Sequence, residues 1–209
     1  MPTLEKTLSE LYRLFKLLNK KFYSGKLDQP VIVVQSKGKY KNTLGWCTTR
    51  KIWSDKADGS TYYEITITAE FLQRHVKEIV STLLHEMVHL YNLQINVMDC
   101  SRGATYHNTK FKEVAESHGL LCEYADKYGW ACSRLTPETE KLINEISVDD
   151  DSFRLVRDDI EQCEGQNGKG KKQSSKKYKC PACGLIIRAT KDIGGKVLCI
   201  DCNSKLQEA

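Results

Sequence analysis

Residues 75–95 read HVKEIVSTLLHEMVHLYNLQI. Val76, Ile79, Val80, Leu83, Leu84, Met87 and Tyr91 recur at steps of three and four, the period of a long amphipathic helix. Inside it lies His85-Glu86-Met87-Val88-His89. Positions i and i+4 share a helix face, so both imidazoles can reach one metal ion while Glu86 projects beside it. Zinc held this way lowers the pKa of its bound water to roughly 7 and polarises a carbonyl. Glu86 is then placed to take the water's proton as general base. His75, ten residues before His85, would sit about 15 Å away along the helix and is expected to be structural.

A hydrolytic zinc needs a third protein ligand and an open position. Three residues downstream qualify: His107, Glu116 and His118. Asn108 can cap a helix that reaches Ser117, with Gly119 to end it. His107 would open that helix and His118 close it, about 16 Å apart, so the two cannot both serve. Spacing favours His107, and a histidine at the position of His118 suits a helix C-terminus. Between the helices, Asn96–Tyr106 breaks the periodic pattern and carries Cys100 and Arg102, as a lid or a substrate-contacting loop would.

Further out, Leu4, Leu8, Leu11, Phe15, Leu18 and Phe22 mark an N-terminal helix of about five turns. Strands are expected at Val31–Gln35 and Thr43–Thr49, and where Tyr63, Ile65 and Ile67 alternate with polar residues; Asp58-Gly59 is a hairpin signal. Short polar turns between them suggest a small antiparallel sheet. Thr136-Pro137-Glu138 reads as an N-cap with proline at the first helical position, opening a last helix to about Ile146. The fold class is α+β. Glu145–Glu164 then holds eight acidic residues, and residues 165–177 are rich in Gly, Ser, Gln and Lys, the composition of a flexible linker. The expected organisation is a domain over 1–146, a linker over 147–177 and a small module over 178–209.

That module carries Cys180, Cys183, Cys199 and Cys202 in a C-x2-C-x15-C-x2-C pattern. Paired knuckles of this spacing give a closed thiolate site, a structural zinc ribbon. The other cysteines, Cys47, Cys100, Cys122, Cys132 and Cys163, are scattered and fit small buried hydrophobes better than a disulfide framework. Of the formal net charge of +5, the last 46 residues supply ten Lys/Arg against four Asp/Glu. Basic character is therefore confined to the tail, where Lys171, Lys172, Lys176, Lys177 and Arg188 are candidate phosphate contacts. Tyr178 is the aromatic there that could stack on a base. The early charges and the lack of an apolar stretch exclude a signal peptide and a spanning helix from this reading, so a cytoplasmic protein without a membrane partner is expected. A monomer is expected.

Leu44-Gly45-Trp46-Cys47, Ile65-Thr66-Ile67, Thr82–His89 and His107-Asn108-Thr109-Lys110-Phe111 together resemble the SprT-like metalloprotease family, which includes bacterial SprT proteins and the Spartan DNA–protein crosslink proteases. The cysteine set is similar to the zinc ribbon that often accompanies SprT proteins. The resemblance implies a small zincin: His85, His89 and His107 on a catalytic zinc, Glu86 as catalytic glutamate, and an extended substrate paired with an exposed sheet edge. A nearby donor would help to stabilise the tetrahedral intermediate, with Tyr106 and Tyr91 as candidates. The expected activity is peptide hydrolysis on proteins bound or crosslinked to DNA. The rival expectation is a non-catalytic, regulatory zinc protein that binds nucleic acid through the ribbon.

Overall fold

The computed structural model describes residues 1–38, 42–158 and 175–209. The chain divides into two compact units, Met1–Asp159 and Ile160–Ala209. Helix α1 (Leu4–Phe22) opens the first, capped by the Thr3 hydroxyl, which accepts the Lys6 N–H. Its apolar stripe is fully buried at Leu11, Leu14 and Leu18. Strands β1 (Val31–Gln35) and β2 (Gly45–Cys47) follow, then a small hairpin of β3 (Trp53–Ser54) and β4 (Thr61–Tyr62), then β5 (Glu64–Thr68).

The first sheet has the order β1-β5-β2 and is mixed, not antiparallel as its short turns suggested. Residues 36–63 form one long crossover from β1 to β5, so these two strands run parallel, with Ile32 opposite Ile65. Strand β2 lies within the crossover and pairs antiparallel with the other side of β5. The central strand is buried on both faces. Its two threonines, fully buried, satisfy their hydroxyls internally: Thr66 donates to Glu64 at 2.8 Å and Thr68 to the Thr43 carbonyl at 2.7 Å.

Helix α2 (Val76–Gln94) lies where its periodicity predicted. His75 is its N-cap, and Glu78 completes a capping box by accepting the His75 N–H at 3.1 Å. Strands β6 (Cys100–Ser101) and β7 (Tyr106–His107), helix α3 (Thr109–Ser117), and strands β8 (Leu120–Ala125) and β9 (Gly129–Leu135) come next. They build a second sheet in the order β6-β7-β9-β8. The loop before His107 is thus a hairpin. Its tip holds Arg102, Gly103 and Ala104, all at positive φ. At Gly129 (φ +66°) an added Cβ would collide with the His107 carbonyl, so glycine lets β9 close on β7 beside that histidine. Helix α4 (Pro137–Glu145) starts at the Thr136 cap.

Residues 147–158, assigned to the linker on composition, pack on the first unit. The Ser152 carbonyl accepts from the buried Thr7 hydroxyl at 2.6 Å, and Phe153, 4% exposed, joins the core. Val148 and Val156 pack against the same core, and the acidic residues between and around these apolar anchors obscured them. Phe153→Ala should therefore lower the unfolding free energy of the first unit by about 3 kcal/mol. Urea titration followed by circular dichroism would measure it; a change below about 0.5 kcal/mol, the scale of surface substitutions, would return the segment to the linker.

The second unit contains β10 (Lys176–Lys179), β11 (Ile186–Ala189), β12 (Leu198–Cys199), β13 (Ser204–Lys205) and β14 (Gln207–Glu208). They form an antiparallel sheet, β11-β10-β14, and a β12–β13 pair. Its core is small: Tyr178, Cys180, Cys199 and Leu206. Tyr178 is fully buried, donates to Asp192 at 3.1 Å and accepts the Ile193 N–H, which removes it from any stacking role. Among the described residues no helix is long and apolar enough to cross a membrane.

Candidate functional site

Helix α2 presents His85 and His89 one turn apart, and β7 brings His107 across to them. The Nε2 atom of His107 lies 3.1 Å from that of His85 and 3.0 Å from that of His89. Tetrahedral zinc with Zn–N of about 2.05 Å would hold its nitrogen ligands about 3.3 Å apart. On the two α2 histidines the ring nitrogens facing away are also engaged, whereas His107 Nδ1 is buried without a partner. His89 Nδ1 meets Asp99 Oδ2 at 2.7 Å, and His85 Nδ1 meets Ser133 Oγ at 2.8 Å. In the tautomers that donate these bonds, lone pairs are left on the Nε2 atoms at the centre. Asp99 is itself fixed: Asn92, fully buried, donates to it at 2.9 Å, and its backbone carbonyl accepts the Asn108 N–H at 2.9 Å. Phe111 packs against all three imidazoles from below, with ring centroids 4.6–4.8 Å away.

The titration behaviour follows from this crowding. Burial, then the neighbouring His89 and His107, hold His85 well below the ordinary histidine range. Burial and His89 bring His107 down to about 4. Burial opposes charge on His89 as well, but the hydrogen bonds to Asp99 and Cys100 and the charges of Glu86 and Asp99 together outweigh it and raise His89 to about 10. Nitrogens at this range need a proton or a cation between them. A proton on His89 meets that need, and so does a metal ion that displaces it. The donor set therefore fits zinc.

Glu86, 5% exposed, sits next to the cluster and is raised to about 7, chiefly by burial. The Cys47 N–H on strand β2 donates to its carboxylate. Strand β2 can come this close because residue 45 is glycine: an added Cβ would stand 2.7 Å from the Thr66 carbonyl, 3.0 Å from Thr82 Cγ2 and 3.3 Å from Glu86 Oε1. The Cys47 thiol is raised well above its usual value by burial and by Glu86, and Cys100, beside His89 and Asp99, is raised by burial. Neither is an activated nucleophile. All eight described cysteines are free thiols; Cys163 lies outside the described residues.

The other candidates lie elsewhere. His118 caps the C-terminus of α3, stacks on Tyr23 at 4.3 Å and contacts Tyr91 at 5.2 Å. Burial lowers its pKa, so it meets the helix end as a neutral ring, with Nδ1 2.7 Å from the Val114 carbonyl, not as a charge on the dipole. Glu116 pairs with Lys112. Tyr91 packs against Tyr23 and His118, away from the three histidines, and the Tyr106 hydroxyl meets that of Tyr124 at 3.4 Å. The sequence reading missed Asn92, Asp99, Ser133 and the Cys47 N–H. Of these, only Asp99 carried a signal, as a carboxylate in the loop between the histidines.

In the second unit the thiols of Cys180, Cys183, Cys199 and Cys202 all lie within 4.8 Å of one another, with Cys183 and Cys199 3.6 Å apart. Tetrahedral Zn–S bonds of about 2.3 Å imply about 3.8 Å, so this donor set also fits zinc. The Cys183 and Ala182 N–H groups bring the Cys180 thiol down to about 7, which eases the thiolate form. Lys176, Lys177 and Arg188 are exposed strand residues. Lys177 and Arg188 are paired across β10–β11, whereas Lys176 is held by Glu208 at 3.0 Å. Lys171 and Lys172 lie outside the described residues.

An α+β unit with an H-E-x-x-H helix, a third histidine and a separate four-cysteine unit defines a class of metal-binding protein with the features of a zinc peptidase. The chain belongs to the SprT-like family, whose profile matches residues 11–125. Comparison with curated proteins and with solved structures gives no match.

Asp99→Asn should weaken zinc binding at the three-histidine site 10- to 100-fold, because the amide no longer fixes the His89 tautomer. Competition against a chromophoric chelator reads this directly, and an unchanged affinity would reduce Asp99 to a packing role. Chelation should also separate the two units. The ribbon, with four residues in its core, should lose its dispersed NMR signals, while the first unit keeps its own. Survival of both sets in excess chelator would show that the cysteine site is not structural.

Proposed function

We propose that the chain is a zinc-dependent metallopeptidase that cuts proteins held on DNA. A zinc ion on His85, His89 and His107 supplies a Lewis acid and a bound water acidic enough to lose its proton near neutral pH. The observation that carries the reading is Glu86: a buried carboxylate one residue from a ligand, oriented by the Cys47 N–H. With zinc held there, Glu86 would accept the water's proton and pass it to the leaving amine, its own pKa lowered by the nearby charge from the value that burial alone imposes. Asp99 and Ser133 hold the imidazoles in the tautomers that face the centre. Strand β2 is an edge of the sheet among the described residues, next to Glu86. Its outer backbone groups suit an extended peptide added as a further strand, with the scissile carbonyl brought over the three histidines.

The four-cysteine unit holds its zinc for structure. Lys177 and Arg188, with the basic residues before them, supply non-specific phosphate contact. Tethering then raises the local concentration of DNA-bound protein at a cleft that needs little sequence preference of its own. Support for this second half is the confinement of basic charge to the tail and the exposure of Lys177 and Arg188.

Glu86→Gln should abolish cleavage of a DNA-binding protein, by at least 100-fold, the lower end of what a general base contributes. Zinc content, fold and DNA affinity should stay at wild-type values. Wild type and variant are compared with and without DNA. A variant that cuts like wild type would sink the mechanism. Cleavage that DNA does not enhance would leave a peptidase without a DNA-directed role.

A further inference from the structure

The peptidase reading leaves one thiol beside the centre without a task. Cys100 follows Asp99 and opens β6, where its partner across the β6–β7 pair is His107. It hydrogen-bonds to both His89 and Asp99. One donor atom from each of His89, Asp99 and Cys100 lies within 4.8 Å of the other two. The His89 nitrogen that faces Asp99 is Nδ1, whereas Nε2 faces the three-histidine centre. Asn92 adds a second, independent sign of a cation. It is fully buried and donates its amide N–H to Asp99, yet its Oδ1 has no partner. A buried acceptor left unpaired is costly, and a cation beside Asp99 would satisfy it once the amide turned over. Met98 and Ser101, on either side of the pair, are exposed, so an ion can enter from solvent without passing the cleft.

We propose that His89 Nδ1, Asp99 and Cys100 form a second metal site, which takes surplus zinc or cadmium and so regulates the first. A nitrogen, a carboxylate oxygen and a sulfur make a borderline-soft set, suited to these ions and not to magnesium or calcium. On binding, the Cys100 thiol and His89 Nδ1 each release a proton to solvent, and the Asp99 carboxylate turns from His89 to the ion. His89 becomes an imidazolate between two ions, Nε2 to the centre and Nδ1 to the new site. Two protons leave for each divalent ion, so the cluster gains no net charge. Its affinity should be lower than that of the three-histidine site, because the imidazole must lose a further proton and Asp99 a hydrogen bond. The site therefore fills only when metal is in excess. Filling it withdraws the support that orients His89, so cleavage falls. This regulatory half rests on the peptidase reading above; the metal site itself does not.

The test uses the full chain, loaded with zinc at the three-histidine and four-cysteine sites and dialysed against rising zinc. Wild type should take up one further ion per chain, and Cys100→Ser and Cys100→Ala should not. The added zinc should also protect Cys100 of the wild type from iodoacetamide. Peptide mass spectrometry reads this at Cys100 itself, apart from the ribbon thiols. With cadmium as the added ion, wild type should show a thiolate charge-transfer contribution that Cys100→Ser lacks. Thermal unfolding of both variants guards against misfolding. Surplus zinc should inhibit cleavage by the wild type, whereas Cys100→Ser should keep its activity in the same excess. A further ion retained by both variants overturns the site, as does one that leaves Cys100 open to alkylation. Uptake by the wild type that stops at the two original ions overturns it as well. Equal inhibition of wild type and Cys100→Ser overturns the regulatory half. Absence of cleavage at every zinc level defeats the peptidase reading, while dialysis and alkylation still decide the metal site.

Discussion

The His107 Nε2 atom lies within hydrogen-bonding range of those of both His85 and His89, and nitrogens so close repel unless a proton or a cation lies between them. Much of the first unit serves to hold that arrangement. Helix α2 fixes two of the rings by its pitch. The turn at Gly129 docks β9 on β7 and so fixes the third. Phe111 supplies an apolar floor that limits how far the rings can tilt. Asp99 and Ser133, from loop and strand, set which nitrogen of each α2 histidine points inward. The supports come from α2, α3, β9 and the loop that carries Asp99, so the centre is preorganised by several elements and not by the helix alone.

The same requirement explains the sheet. Glu86 is buried, and a buried carboxylate needs a partner for its charge. Strand β2 provides that partner through a backbone N–H, and Gly45 allows the approach. A side-chain donor would bring flexibility and its own protonation state; a backbone donor on a paired strand brings neither. The strand beside Glu86 is also the edge of the first sheet among the described residues, a span of three residues.

How much of this could be read from the sequence depended on distance along the chain. His85, Glu86 and His89 are legible because helix periodicity puts them together within five residues. His107 was favoured by spacing and His118 set aside by helix length, and the geometry bears this out. Asp99, Asn92 and Ser133 were not legible as a set, because what joins them is tertiary: β9 reaches His85 only after the β8–β9 hairpin forms. That hairpin went unread because residues 120–135 contain no Val or Ile and several charges, a weak strand signal despite Tyr124 and Trp130. The mixed sheet went unread because strand direction depends on where a crossover passes, and local alternation does not encode that. Phe153 was hidden in an acidic run whose average composition resembles a linker.

The small ribbon core places a different constraint on the tail. Tyr178 is the one large side chain fully buried there, so its ring is committed to folding and cannot serve a ligand. What the ribbon sheet can offer nucleic acid is therefore charge, from Lys177 and Arg188 side by side across two strands. Charge alone grips any polyanion and loosens as salt rises. Exposed aromatic rings are found instead on the catalytic unit, at Tyr124 and Tyr128, where ligand contact costs the core nothing. The two units therefore differ in what they expose: the ribbon sheet offers charge, and the first unit offers aromatic rings.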